Sequence, residues 1–220
     1  MTTLLVVAKE PRAGRSKTRL CPPCTPAEAA WLAEAALADT LSAVAATPGV
    51  RRVLVLDGRP GPWMSPGVEV VAQGGGGLDD RLAQAFAGAG GPALLVGMDT
   101  PQVTPGLLTD ALANLARPEV DAVLGPAVDG GWWALGLTDP HPADILGVPM
   151  STPHTGMAQL VRLAARGRRV QLLPRLRDVD RIDDARAVAA LAPRSRFAAR
   201  LRALTRLEGG SGPEPMRLQA

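Results

Sequence analysis

T-L-L-V-V-A-K-E-P-R-A-G-R-S-K-T-R, residues 3–19, is the stretch that decides the fold of this chain. Residues 3–8 are a short apolar run and read as the first strand of a parallel sheet. Pro11 and Gly14 make the next segment a loop rather than a helix. The loop carries Lys9, Arg12, Arg15, Lys17 and Arg19 against the single acid Glu10. A basic, glycine-containing loop directly after strand one is where open α/β proteins hold phosphates. The glycine and lysine spacing of a Walker A loop is absent. The expected ligand is a nucleotide or another polyphosphate. Lys9, Pro11, Gly14, Arg15, Lys17, Thr18 and Arg19 are its expected contacts.

Outward from this loop, apolar runs at 53–56, 68–72, 93–96, 120–124, 132–137 and 170–173 read as further strands. Helical segments are expected at 26–46, 78–87, 104–116, 153–166, 183–191 and 195–207. Thr25 before Pro26 and Thr104 before Pro105 supply N-caps. Strands alternating with helices predict an α/β fold, a mostly parallel sheet covered on both faces. Nothing resembling a linker interrupts the first 208 residues, so 1–208 reads as one domain. The Gly-, Ser- and Pro-containing segment 209–220 reads as a disordered tail.

The chain has 220 residues, 46% of them hydrophobic, and a formal charge of +3. No apolar run approaches the roughly 18 residues of a membrane span. The N-terminus lacks the basic residue and the apolar length of a signal peptide, so a cytoplasmic protein without a membrane partner is expected. A second basic cluster, Arg194, Arg196, Arg200, Arg202 and Arg206, raises nucleic acid as a partner. With no Tyr and two Phe, a base-stacking surface is poorly supported, and nucleic acid is not the expected partner. Cys21 and Cys24 form C-P-P-C. A zinc site would need partners, and only His141 and His154 exist, both distant. Pro22 and Pro23 fit a redox helix start poorly, so the pair reads as incidental.

Four further segments carry chemistry. Gly97-Met98-Asp99-Thr100-Pro101 follows the run 93–96. An acid at the carboxyl end of a central strand faces the ligand crevice and suits Mg²⁺. Asp99 lies too early to cap the helix beginning near Thr104. In G-P-A-V-D-G-G-W-W, 125–133, the paired glycines let a substrate approach the backbone. Asp129, Gly130, Gly131 and Trp132 are its candidate acceptor-side residues, although D-G-G is equally a hairpin turn. Trp132 and Trp133 should face opposite sides of a strand, one on a pocket and one in the core. In D-V-D-R-I-D-D, 178–184, alternation puts Asp178 and Asp180 on one face. Carboxylates this close need a cation or an arginine. Asp180 is the expected second metal ligand, with Asp178 and Asp183 as alternatives; Asp183 also suits a helix cap. Q-G-G-G-G-L-D-D-R, 73–81, reads as a mobile loop. Gln73 and Arg81 are candidate nucleotide contacts, and Asp80 is a first-turn acid.

A-K-E-P-R-A-G-R-S-K-T-R-L at 8–20, L-D-D-R at 78–81, G-M-D-T-P at 97–101 and the segments 125–133 and 178–184 together resemble the DUF2064 family. That family is also catalogued as a transferase associated with radical-SAM or selenium-linked gene sets, and as an arsenosugar-biosynthesis glycosyltransferase. The resemblance implies a GT-A-like fold, a three-layer α/β/α sandwich shared by nucleotide-sugar glycosyltransferases and small nucleotidyltransferases. It further implies phosphates on residues 9–19, Mg²⁺ or Mn²⁺ on Asp99 and a carboxylate near Asp180, and an acceptor facing 129–131. The chain departs from the family in having Asp79-Asp80 for Gly-Glu and Met150 for a Trp before Ser151-Thr152. It also has Trp132-Trp133 where a Tyr is usual. The first expected function is nucleotidyl transfer from a nucleoside triphosphate to a small phosphorylated or acidic acceptor, releasing pyrophosphate. Lys17 and Arg19 would hold the β and γ phosphates. The second is glycosyl transfer from a nucleotide-diphospho-sugar, with Asp129 as base. The third is a non-catalytic nucleotide-binding module whose basic C-terminal helix meets a partner.

Overall fold

Alternation along β1 (Thr3–Lys9) sends Leu4, Val6 and Ala8 to one face of a sheet and Leu5 and Val7 to the other. Both sets are needed because the strand is central, with apolar layers on either side. The computed structural model describes residues 1–209. The expected tail therefore lies, except for Gly209, outside the described residues.

The other strands are β2 (Arg51–Asp57), β3 (Glu69–Ala72), β4 (Ala93–Gly97), β5 (Ala122–Pro126), β6 (Trp132–Leu137) and β7 (Val170–Leu172). They form one sheet in the order β3-β2-β1-β4-β6-β5-β7. β6 runs antiparallel to β4 and β5, and the remaining pairs are parallel. The mostly parallel sheet expected from the sequence is therefore present. β5 starts two residues later than its apolar run suggests. Asp121 is used instead as an anchor, accepting from Arg169 Nε at 2.8 Å.

Helices α1 (Pro26–Ala46) and α3 (Pro105–Leu115) cover one face, through Leu37, Leu41, Leu108 and Leu115. Helices α2 (Leu78–Ala89) and α4 (Thr155–Ala165) cover the other, through Leu82, Phe86 and Leu163. Beyond α1 lie α5 (Ile182–Leu191) and α6 (Arg196–Gly209). They enclose a third apolar cluster with Leu20, Leu32, Val179, Val188 and Phe197. α1 begins at a full capping box, with Thr25 Oγ1 accepting from Glu28 N and the Glu28 carboxylate accepting in turn from Thr25 N. By length and mean hydropathy, 1.2 over its most apolar window, α1 matches a membrane span, and 61% of that window is buried. Its hydrophobicity has a local cause: it is sandwiched between the sheet and α6, so both sides are apolar.

The basic C-terminal cluster is partly engaged in docking α6 on α1. Arg200 Nη2 lies 2.7 Å from Glu34 Oε1, and its guanidinium stacks 4.8 Å over the Trp31 ring. Arg196 pairs with Asp39 at 3.4 Å.

Candidate functional site

The order of strands creates the site. β2 and β3 are laid down on one side of β1, and the chain then returns to place β4 on the other. Loops leaving the carboxyl ends of β1 and β4 diverge at this switch point and open a crevice. The loop after β1 holds the cations, and the loop after β4 holds Asp99.

The cationic loop is shaped by short-range bonds. Arg15 N and Ser16 N both donate to Arg12 O, at 3.1 and 3.0 Å, and Gly14 takes a φ of 75° in this turn. Arg12 is drawn away, pairing with Glu10 at 2.8 Å. Lys9, Arg15, Lys17, Thr18 and Arg19 line a cleft of about 240 Å³ with Ser16, Met98, Asp99 and Asp180. Lys17 has a φ of 52°, a left-handed value that a lysine adopts at some cost. In this conformation its ammonium faces both Asp99 and the acidic segment. It donates to Val179 O and lies 2.7 Å from Asp99 Oδ1. Arg19 Nη1 lies 2.9 Å from Asp180 Oδ2.

The acidic segment is docked on the same loop. Val179 N donates to Asp99 O at 2.9 Å, while the Val179 side chain is buried beside Leu20, Leu32 and Phe197. Asp178 and Asp180 flank it on either side in the chain. Burial pushes the Asp178 carboxyl up to about 6. The charges of Asp129 and Asp99 act in the same direction, and Lys17 opposes them. Asp183 does not cap α5. Asp184 does, accepting from Arg181 N at 3.0 Å, while the Asp183 side chain is 88% exposed and pairs with Arg186.

A larger cleft, about 380 Å³, lies on the α2 and α4 side and shares Lys9, Met98 and Asp99 with the first. Gln73, Leu78 and Leu82 form one wall; Asp129, Gly131, Trp132, Met150, Ser151 and Thr152 form the other. Residues 127–131 are a hairpin turn between β5 and β6, as D-G-G allows, and Asp129 and Gly131 of that turn line the cleft. Asp129 Oδ1 accepts from Gly131 N at 2.8 Å, which fixes the carboxylate. Gly130 has a φ of 91° and its carbonyl accepts from Gly156 N at 2.8 Å. A Cβ there would sit 1.9 Å from Pro153 O. The two tryptophans divide as expected. Trp133 is core and donates to Pro174 O at 2.9 Å, while Trp132 lines the cleft.

Pro11, Gly14, Arg81 and Gly130 line neither cleft. Pro11 and Gly14 shape the loop, and Gly130 seats the hairpin on α4. Arg81 Nη1 donates to Gln73 Oε1 at 3.0 Å, which orients Gln73. Asp80 accepts from Gly77 N at 2.9 Å and so takes the helix-capping role. The wall 150–152 was not singled out by sequence chemistry. Its one signal was the departure at Met150, since the φ of 57° at Ser151 is unreadable beforehand.

Among the described residues, no three Asp, Glu, His or Cys side chains gather into a ready metal cage. The donors that are present suit a hard cation shared with phosphate, since Mg²⁺ takes one or two carboxylates plus phosphate oxygens. Asp178, carrying a charge its neighbours disfavour, is an observation in favour of such a fit.

Compared with solved structures, the chain is similar to a candidate nucleotide-diphospho-sugar transferase from Desulfovibrio desulfuricans G20. The TM-score is 0.84 at 24% identity, covering 94% of this chain and 96% of that one. It is similar to CMP:2-keto-3-deoxy-manno-octonic acid synthetase, solved with CTP, at a TM-score of 0.57 and 11% identity, over 87% and 98% of the two chains. It is also similar to 2-C-methyl-D-erythritol 4-phosphate cytidylyltransferase from Thermus thermophilus, at 0.54 and 18%, over 88% and 100%. These likenesses show the fold, which is GT-A-like. No curated protein matches the sequence significantly. The family described as "Uncharacterized protein conserved in bacteria (DUF2064)" matches residues 34–152, more than half of the chain.

Proposed function

This chain belongs to the DUF2064 family, and we propose that it is a cation-dependent transferase moving a nucleotidyl group from a nucleoside triphosphate to a small acceptor, with release of pyrophosphate. One observation carries the reading: Lys9, Arg15, Lys17 and Arg19 line a single cleft with Asp99 and Asp180 at the switch point of the sheet. A cation density of that kind suits three linked phosphates better than one.

In this reading Arg15 and Arg19 grip the outer phosphates with forked contacts, and Lys17 supplies a point charge. Thr18, which lines the same cleft, adds a hydroxyl contact to the chain of phosphates. Asp99, with Asp178 and Asp180 on the facing segment, would hold Mg²⁺ or Mn²⁺. The ion would neutralise charge at the phosphoryl group that is attacked. Asp129, which lines the larger cleft together with Asp99, would take a proton from the acceptor.

The test is thermal stability of the protein against nucleoside triphosphates and nucleotide sugars, with and without Mg²⁺, followed by pyrophosphate release with the best ligand. Selective Mg²⁺-dependent stabilisation by one triphosphate is expected, lost in Asp99→Asn. Stabilisation by a UDP- or GDP-sugar alone would replace this reading with glycosyl transfer. That second reading is favoured by the largely uncharged cleft beside Asp129. Metal-independent nucleotide binding without turnover would support a non-catalytic module.

A further inference from the structure

We propose that the larger cleft receives an uncharged, hydroxyl-bearing acceptor, held by the Trp132 indole N–H and deprotonated at Asp129. This rests on the transfer reaction above and replaces the phosphorylated or acidic acceptor expected from the sequence.

Charge is the first argument. Of the basic residues after β1, only Lys9 lines the larger cleft, and Lys9 is shared with the phosphate cleft. Against it stands the Asp129 carboxylate, Asp99 being already paired with Lys17 at 2.7 Å. A phosphate or carboxylate on the acceptor would enter against this field with no guanidinium to receive it. The cations are concentrated on the donor side of Asp99.

The lining is the second argument. Leu78, Leu82, Met150 and the Trp132 ring are interrupted by the hydroxyls of Ser151 and Thr152. An apolar wall with a few hydroxyl partners suits a molecule having both an apolar face and ring hydroxyls. The third argument is independent of the other two. The Trp132 indole nitrogen is buried and has no hydrogen-bond partner among the described residues. A buried donor left unpaired is costly, and an acceptor oxygen would relieve it once the Trp132 ring, which lines the cleft, turns this nitrogen toward the bound molecule.

The step balances without a further reactant. The acceptor O–H proton passes to the Asp129 carboxylate as a new O–P bond forms to the α-phosphorus. The bond from that phosphorus to the bridging oxygen breaks, and pyrophosphate leaves with the electron pair. Gly131 N, holding Asp129 Oδ1 at 2.8 Å, keeps the carboxylate oriented for this role.

The test uses the full chain with ¹⁵N-labelled indoles, the Trp132 resonance being identified by its loss in Trp132→Phe. Glucose, glucose 1-phosphate, glycerol and glycerol 3-phosphate are titrated in the presence of Mg²⁺ and the best-stabilising triphosphate. The neutral member of at least one pair should shift the Trp132 N–H signal, and its phosphate should bind at least about tenfold more weakly. Tighter binding of the phosphates, or no response at Trp132 from any probe, would overturn the proposal. Met150→Arg, which adds a cation to the wall, should reverse the preference; an unchanged order would equally sink the charge argument. Thermal stabilisation by the Mg²⁺-nucleotide is read in the same samples. Stabilisation without a Trp132 response removes the acceptor proposal alone. A Trp132 response without stabilisation removes the transfer reaction alone.

Discussion

Asp178 carries a charge that its surroundings resist. Burial comes first, then the nearby carboxylates Asp129 and Asp99, and together they raise its carboxyl to about 6. An acid raised in the folded state binds protons there more readily than in the unfolded chain. Its effect on stability is therefore absent well below the ordinary carboxyl value of 3.8, grows unfavourable as pH rises from there to about 6, and is complete above that. Asp178→Asn should thus stabilise the metal-free protein at pH 7 by on the order of 2 kcal/mol, and by almost nothing near pH 3. Denaturant unfolding at the two pH values measures this. The same variant should lose Mg²⁺-dependent stabilisation by nucleotide. A gain in stability with loss of binding would mark a residue kept for function at a structural cost. The sequence narrowed the choice to Asp178, Asp180 and Asp183 and went no further. Which of the three is buried depends on Val179 entering the cluster around α5 and α6, a contact between distant parts of the chain.

At the scale of elements, the wall of the larger cleft depends on an ion cluster outside it. Asp144 ends a short 3₁₀ turn, Pro142–Asp144, and its side chain is fully buried. Burial alone would raise its carboxyl. Hydrogen bonds from Arg168, from His141 N and from Arg166 outweigh that and hold it below the ordinary range. Arg168 Nη2 lies 2.8 Å away and its side chain is only 17% exposed, so removing the acid would strand a nearly buried cation. Asp144→Ala should cost about 3 kcal/mol and loosen the segment that leads through Val148 to Met150. The contribution of Asp144 is present above the ordinary carboxyl value and is lost as pH falls through its lowered one. Wild-type stability should therefore drop on acidification more than that of Asp144→Asn, as equilibrium unfolding from pH 7 to pH 3 would record. None of this was visible in the residues alone. The helices and strands were legible because apolar period, Thr-Pro starts and glycine stops are local signals. The direction of β6 and the partners of a lone aspartate are set by residues far away in the chain.

For the molecule as a whole, the site is assembled from both ends of the chain. The cationic loop follows β1, while the acids of 178–180 arrive after β7 and are pinned by a cluster that α6 completes. Phe197, 1% exposed, sits in that cluster with Val179. Phe197→Ala should cost about 4 kcal/mol. At temperatures where the variant stays folded, it should also weaken Mg²⁺-nucleotide binding, although it touches neither cleft. Unchanged affinity would show that 178–180 is held independently of α6. The pairing of Lys17 with Asp99, at 2.7 Å, has a thermodynamic consequence at this scale. Without ligand, the site is already balanced by its own internal salt. A bare cation must compete with an ammonium, and a bare triphosphate must compete with a carboxylate. Arriving together, they exchange partners: metal goes to Asp99 and phosphate to Lys17, with no charge stranded. Metal and nucleotide should therefore behave as mutual activators, each tightening the other by the same factor. Titration calorimetry of each alone and of both together would expose that double decomposition, and strictly additive heats and affinities would rule it out.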